Sequence, residues 1–173
     1  EIRLSLVGSE MCIRDSGKPV AHRSRHRQQL NMFNRILVVC IGNICRSPMA
    51  EQLLKIELPN KAISSAGLGA LVNAPADEHA QALMVELGHD ISSHRGRQLN
   101  AELVSDAELI LVMTEKQEIA LTQQFPQARG RVYRLGHWNK QNIADPYRKP
   151  REEFEIALQH IQTGIASWLP KLR

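Results

Sequence analysis

The chain has 173 residues, of which 43% are apolar, so its length and composition fit one globular domain and exclude a disordered protein. No apolar run approaches the roughly 18 residues of a membrane span, and we therefore predict no membrane insertion. The net charge is +4, but residues 1–31 hold six basic and three acidic side chains, which leaves only +1 for residues 32–173 and predicts no nucleic-acid binding.

Residues 1–31 differ in character from the rest of the chain. They are polar and basic around residues 24–29, and residues 5–16 resemble a translated sequencing-adaptor read-through. The apolar run is too short for a signal peptide and is interrupted by acids. We predict that residues 1–31 are a non-native or disordered extension and that the natural protein starts at Met32. A basic targeting or nucleic-acid-binding arm is the alternative.

From Met32 onward, predicted strands and helices alternate. β-branched and apolar runs predict buried strands at 35–40, 61–65, 108–113 and 131–135. Apolar residues at helical spacing predict helices that begin at Ser47-Pro48 and span 77–87, 114–124 and 152–169. This order predicts an α/β fold, a single doubly wound domain whose four-stranded parallel sheet has helices on both faces. Ligands bind such sheets at the carboxyl ends of strands, and Cys40 ends the first strand.

The segment CIGNICRSP, residues 40–48, predicts a phosphate loop after the first strand. Successive backbone N–H groups in a tight loop form an anion site, to which a helix N-terminus adds partial positive charge. Gly42 permits a positive φ and a close ligand approach. Arg46 presents a planar fork for two phosphate oxygens. The positive field favours the thiolate of Cys40, a nucleophile for in-line attack on phosphorus.

A cysteine at the end of a strand is more often a small buried apolar residue. The arginine six residues after Cys40, the glycine between them and the Ser-Pro helix start favour a nucleophile instead. A leaving oxygen of high pKa must be protonated as it departs from phosphorus. Asp145, before a proline and after the last predicted strand, is placed to supply that proton from a loop, and a simple turn aspartate is the alternative.

The three cysteines, Cys12, Cys40 and Cys45, are too few and too irregularly spaced for a secreted disulfide scaffold or a structural zinc site. We therefore predict reduced thiols in a cytoplasmic protein, with no metal. Cys45 is either a small residue that fills a tight loop or a thiol that pairs with Cys40 and protects it from irreversible oxidation.

The string VCIGNICRSPMAE at residues 39–51 resembles the signature of low-molecular-weight protein-tyrosine phosphatases. Further segments similar to that family are SAG at 65–67, HRGRQ at 94–98 and DPYRK at 145–149. With GLGALV at 67–72 and GHW at 136–138, the pattern is most similar to the bacterial branch paired with tyrosine autokinases of capsule and exopolysaccharide export. The resemblance covers residues 32–173. It implies a cytoplasmic phosphatase without a cofactor, whose partners are a phosphotyrosine protein, such as an autokinase, and phosphate or another oxyanion in the loop.

The resemblance also implies roles for individual residues. Cys40 corresponds to the nucleophile, Arg46 to the phosphate clamp and Asp145 to the general acid. Asn43 corresponds to the residue that braces the loop in a left-handed conformation, which asparagine tolerates well. The remaining loop and supporting positions are Ile41, Gly42, Ile44, Cys45, Ser47, Ser65 and His94.

Ser47 is expected to hydrogen-bond the thiolate and to cap the following helix, and Ser65 and His94 are expected to hold Asn43. A solvated loop histidine is the alternative for His94. Leu71 and Tyr147 correspond to the walls of the substrate pocket, where Tyr147 can stack against a phenyl ring.

Three other functions share parts of this pattern. Protein-arginine phosphatases usually have threonine at the position of Ile44, so isoleucine favours phosphotyrosine. Thioredoxin-coupled arsenate reductases use further cysteines downstream, and no cysteine follows Cys45. A phosphate- or phosphopeptide-binding module would be expected to lack Cys40 or Asp145, and both are present.

Overall fold

A sheet of four parallel strands lies at the centre of the computed structural model, which describes residues 33–173. The strands are β1 (Arg35–Cys40), β2 (Ala62–Gly67), β3 (Leu109–Val112) and β4 (Val132–Arg134), in the order β2-β1-β3-β4. The predicted four-stranded parallel sheet is confirmed. The predictions for residues 1–31 and for a start at Met32 lie outside the described residues.

Within residues 33–173, five α-helices connect and cover the strands. They are α1 (Arg46–Glu57), α2 (Glu78–Glu86), α3 (Ala101–Asp106), α4 (Glu115–Gln124) and α5 (Arg151–Leu172). Alternate side chains of β1 point to opposite faces, so Val38 packs in one core cluster and Val39 in the other. The first cluster includes residues of α1, α2 and α5, and the second includes residues of α3 and α4. Helices therefore cover both faces, as predicted. None of the helices in residues 33–173 has the length and hydrophobicity needed to cross a membrane.

The start of α1 differs from the prediction. The helix begins at Arg46, one residue before Ser47, and no side chain caps it. Ser47 therefore does not cap the helix, because its hydroxyl is engaged with the side chains of Cys40 and Asn43 inside the loop. Thr114 does cap α4, since its side chain accepts a hydrogen bond from the backbone of Gln117.

Two short elements were not predicted: α3 and a 3₁₀ turn at Pro126–Ala128. α3 has only six residues, too few for an apolar period to be visible, although the side chain of Asn100 caps it. At the end of the chain, α5 continues through Pro170 to Leu172, three residues beyond the prediction.

The connections reverse direction at β1, which places the loop after this strand in an open crevice. From β1 the chain crosses to β2 on one side and then to β3 on the other. The connections that follow the two neighbouring strands therefore diverge and leave space at the carboxyl end of β1.

Candidate active site

The loop between β1 and α1 has its peptide carbonyls turned outward. The carbonyls of residues 40–44 each accept one hydrogen bond from another segment, at 2.7–3.1 Å. The donors, in order, are the backbone N–H groups of Leu68, Gly69 and Leu71, the Nε2 of His94 and the backbone N–H of Asp77. In a trans peptide the carbonyl and the next N–H point in opposite directions, so the N–H groups of residues 41–45 face the inside of the loop. This arrangement is a cradle for an anion.

Asn43 holds the shape of this cradle. Its φ is 55°, in the left-handed region, and its side chain is completely buried. The amide nitrogen donates to the hydroxyls of Ser65 at 2.8 Å and Ser47 at 2.9 Å, and the amide oxygen accepts from the backbone N–H of Arg97 at 2.9 Å. The Ser65 hydroxyl in turn donates to the carboxylate of Glu51. Every polar atom of the Asn43 side chain therefore has a partner.

Two of these partners, Glu51 and Arg97, were not singled out in the sequence. Both lie within segments that matched the family, the strings at 39–51 and 94–98. Arg97 also donates from Nε to the carbonyl of Ser65 at 2.6 Å, so it ties β2 to the loop that carries His94.

The Cys40 thiol lies at the centre of the cradle and is 2% exposed. Its Sγ is 2.9 Å from the Ser47 hydroxyl and accepts a hydrogen bond from the Asn43 N–H at 3.2 Å. Because the Ser47 oxygen already accepts from Asn43, its own hydrogen is available to the sulfur. Two hydrogen-bond donors are therefore directed at the sulfur.

Cys45 has a contrasting environment. Its side chain is 3% exposed, and burial raises the pKa of the Cys45 thiol, with further contributions from the negative charges of Asp77, Cys40 and Asp145. Both cysteines are free thiols. The Cys45 thiol therefore stays protonated, which makes it a poor nucleophile.

Arg46 is 2% exposed and connects the loop to a distant segment. Its Nη1 donates to the carbonyl of Ile143 at 2.9 Å, and its Nη2 donates to the carboxylate of Asp145. Its Nε is buried and has no hydrogen-bond acceptor among residues 33–173, which leaves a donor for a bound oxyanion. The other oxygen of Asp145 accepts from the Tyr147 N–H at 3.3 Å, and the Asp145 side chain is 44% exposed.

The cradle opens into a cavity of about 120 Å³. Its lining consists of Cys40, Ile41, Gly42, Ile44, Cys45, Arg46, Gly69, Leu71, Asp145 and Tyr147. Leu71 and Tyr147 are 43% and 40% exposed and line the cavity from two other segments of the chain. The other four predicted site residues, Asn43, Ser47, Ser65 and His94, do not line this cavity, and they bind the loop through hydrogen bonds instead.

The expectation that Gly42 adopts a positive φ is wrong. Within residues 33–173, the only loop position between β1 and α1 with a positive φ is Asn43, and Gly42 has an ordinary backbone conformation. Absence of a side chain is critical at Gly67, where a Cβ atom would lie 2.4 Å from the carbonyl oxygen of Ile41. The end of β2 therefore approaches the cradle closely enough to require glycine.

The donors of the site are suited to anions. In the part of the chain that the structure describes, no three His, Cys, Asp or Glu side chains are grouped as metal ligands. Backbone N–H groups, a helix N-terminus and a buried guanidinium converge on the thiol of Cys40, and a carboxyl group lies beside them. The arrangement can hold a tetrahedral oxyanion against a sulfur nucleophile, with an acid within reach.

Comparisons with known proteins agree with this chemistry. The profile of the family described as low molecular weight phosphotyrosine protein phosphatase matches residues 35–173. The probable low molecular weight protein-tyrosine-phosphatase EpsP of Ralstonia nicotianae is 51% identical over 142 residues, which are 82% of this chain and 98% of the relative. The solved structure of Vibrio vulnificus Wzb in complex with benzylphosphonate is 44% identical, with a TM-score of 0.78 over 81% of this chain and 99% of its own.

A solved structure with a different named activity is also similar. The YwlE arginine phosphatase from Geobacillus stearothermophilus is 35% identical, with a TM-score of 0.76 over 80% of this chain and 92% of its own. The curated relatives are more similar in sequence, at 42–51% identity, and are named as protein-tyrosine-phosphatases.

Proposed function

The chain belongs to the low molecular weight phosphotyrosine protein phosphatase family and is a protein-tyrosine-phosphatase, and we propose that Cys40, Arg46 and Asp145 perform its chemistry. One observation carries the proposal: the Cys40 sulfur lies between two hydrogen-bond donors at the floor of a cavity that Asp145 also lines. A nucleophile, an anion cradle and a proton donor are thereby in one place.

In the first step, the Cys40 thiolate attacks the phosphorus of phosphotyrosine in line with the leaving oxygen. An S–P bond forms and the P–O bond to tyrosine breaks. The inward N–H groups and the guanidinium of Arg46 stabilise the charge on the three phosphoryl oxygens. Asp145 transfers its proton to the departing tyrosine oxygen, so tyrosine leaves as the neutral phenol.

In the second step, water hydrolyses the cysteinyl-phosphate. Asp145, now a carboxylate, takes a proton from the water, whose oxygen attacks phosphorus as the S–P bond breaks. Inorganic phosphate leaves, and Cys40 returns to the thiolate, which the Ser47 hydroxyl and the Asn43 N–H stabilise. Asp145 is thus protonated again and ready for the next turnover.

Selectivity for tyrosine over shorter phosphorylated side chains follows from the depth of the sulfur. Cys40 is 2% exposed, whereas the wall residues Leu71 and Tyr147 are about 40% exposed. A phosphoryl group at the floor therefore needs a long, flat side chain between these walls, and an aromatic ring beside Tyr147 fits. The benzylphosphonate named for the Vibrio vulnificus Wzb structure carries an aromatic ring on a phosphonate, which supports the same binding mode here.

We further propose that the cellular substrate is a bacterial tyrosine autokinase of polysaccharide export and that the enzyme acts in the cytoplasm. The similarity of residues 67–72 and 136–138 to the branch paired with such kinases supports this substrate. The two buried free thiols are compatible with a reducing compartment. Dephosphorylation of a purified, phosphorylated autokinase from the same cells tests the proposal, with a phosphotyrosine protein of unrelated sequence as the control.

The enzymatic proposal is tested by phosphate release from one peptide sequence that carries phosphotyrosine, phosphoserine or phosphoarginine. We expect the highest kcat/KM for phosphotyrosine and no turnover by Cys40→Ser. After acid quenching, mass spectrometry should find a phosphoryl group on Cys40 of the wild-type enzyme. Equal or faster turnover of the phosphoarginine peptide, or a phosphoryl group on another residue, would overturn the assignment.

A further inference from the structure

A second cavity adjoins the catalytic one. It has a volume of about 400 Å³, and three residues, Ile41, Arg46 and Asp145, line both cavities. Ile41 is 44% exposed and lies where the two cavities meet. The two cavities are thus one continuous surface, and a polypeptide that places phosphotyrosine in the first has neighbouring side chains beside the second.

The lining of the second cavity combines aliphatic side chains with the cation of Lys116, in addition to the Arg46 and Asp145 that it shares with the first. Leu68, after β2, and Ala120, on α4, contribute apolar surface opposite Ile41. Lys116, in the first turn of α4, is exposed and also lines the cavity. Lys116 has no hydrogen bond or ion pair with any residue in the range 33–173, whereas neighbouring Glu118 pairs with Arg134 at 3.8 Å. The cavity therefore has a positive charge that no acid of the described chain neutralises.

Asp145 is the acidic group of this lining, and its charge does not cancel that of Lys116. In the structure its carboxylate is paired with Arg46. In the proposed reaction it is protonated when substrate binds, because it must donate a proton to the leaving oxygen. Once a doubly charged phosphate neutralises the charge of Arg46, Lys116 is the remaining cation of this lining, and it can pair with a further anionic group of the substrate.

We propose that this second cavity binds an acidic side chain that flanks the phosphotyrosine, and that Lys116 is a specificity-determining residue for acidic substrates. The inference rests on the proposed function and adds its substrate class. A glutamate places its methylene groups against Ile41 and Leu68 and its carboxylate at the Lys116 ammonium. Successive residues of an extended peptide advance by about 3.3 Å, so the acid lies within one or two residues of the phosphotyrosine.

The test compares kcat/KM for phosphotyrosine peptides in which glutamate or glutamine occupies one of the two positions on either side. An exposed ion pair contributes about two- to fivefold in affinity, so we expect wild-type enzyme to prefer glutamate by that factor at one position or more, mainly through KM. Lys116→Gln should abolish the preference, and Lys116→Glu should reverse it in favour of a lysine-flanked peptide. Phenyl phosphate, which has neither flanking residues nor a carboxylate, should be hydrolysed equally by all variants.

Arg129→Gln is the matched control, because it removes one exposed positive charge that lines neither cavity. It should keep the preference for glutamate. Ala120→Glu is an independent variant that adds a negative charge to the same lining without touching Lys116, and it should weaken binding of the glutamate peptides alone.

A wild-type enzyme without preference, or a preference that survives Lys116→Gln, would overturn the inference and leave the phosphatase assignment intact. An Arg129→Gln variant that lost the preference equally would show a net-charge effect and would also overturn it. A wild-type enzyme that hydrolysed no phosphotyrosine at all would overturn the proposed function, and this inference with it.

Discussion

Replacement of Asp145 by asparagine separates acid catalysis from a structural role in the loop. Asparagine has the same shape but has no proton of suitable acidity to donate. General acid catalysis typically contributes about 10²–10⁴-fold, so kcat on phosphotyrosine should fall within that range. An activated nitrophenyl phosphate, whose leaving group has a pKa of about 7 rather than about 10, needs the proton less and should lose clearly less activity.

The structure also bounds the effect of Asp145→Asn on stability. The two carboxylate oxygens accept from Arg46 and from the Tyr147 N–H, and the single oxygen of asparagine can replace only one of these acceptors. Loss of a partner from a buried ion pair costs several kcal/mol, but Asp145 is 44% exposed, so solvent screening reduces the cost to about 1 kcal/mol. For a domain of this size, that corresponds to a Tm lower by about 2–4 °C.

The assay is steady-state kinetics of both enzymes on phosphotyrosine and on nitrophenyl phosphate, with calorimetry of the same preparations. The decisive quantity is the ratio of the losses on the two substrates, because a folding defect lowers both equally. Equal losses, together with a Tm drop far above 4 °C, would show that Asp145 is a turn residue and that the general acid lies elsewhere.

Three further predictions follow from the site. Cys40→Ser should abolish turnover but retain binding of inorganic phosphate by calorimetry, since the cradle is made by the backbone and Arg46; measurable turnover in a pure preparation would contradict a covalent route. Gly67→Ala should lower kcat by about tenfold or more and destabilise the fold by about 1–3 kcal/mol, because the new Cβ would lie 2.4 Å from the Ile41 carbonyl oxygen. Gly69→Ala, whose Cβ meets nothing within 4 Å, should unfold like the wild type in the same urea titration. Because burial raises the pKa of the Cys45 thiol, the folded protein keeps a proton that the unfolded chain loses above a pH of about 8.5. The free energy of unfolding should therefore fall above that pH, by at most about 1.4 kcal/mol per unit, and Cys45→Ala should show a shallower fall in urea titrations at pH 8, 9 and 10.

The local sequence pattern was sufficient to predict the bounds of an element where burial is uniform along that element. β1 is predicted to the residue, because five of its six residues are buried and its apolar run has no competing period. β2 extends two residues beyond the prediction to Gly67, because pairing of Gly67 with Cys40 is a tertiary contact. Ala66 and Gly67 are residue types that are depleted in strands, so their own β-propensity does not reveal the strand end.

The residues that support the loop were also hard to identify from the sequence, because they act through tertiary contacts. Glu51 acts through Ser65, 14 residues away, and Arg97 acts on Asn43 through a backbone N–H, 54 residues away. Every residue type except proline has a backbone N–H group, so the residue type does not indicate which position donates from its backbone. The positive φ likewise lies at Asn43 and not at Gly42, because three hydrogen bonds to the Asn43 side chain offset the cost of that conformation.

The attachment of Arg46 to Ile143 and Asp145 has a consequence for the newly made protein. The residues in these two contacts are 97 and 99 positions apart in the chain. At translation rates of about 5–20 residues per second, the nucleophile leaves the ribosome roughly 5–20 s before the segment that orients the arginine and supplies the acid. Until residues 143–145 have been made, Cys40 is present without the carboxyl group that we propose as its general acid, and Arg46 is present without the two groups that orient it. In the proposed mechanism, full phosphatase activity is therefore acquired only after Asp145 has been synthesised, about 100 residues after Cys40.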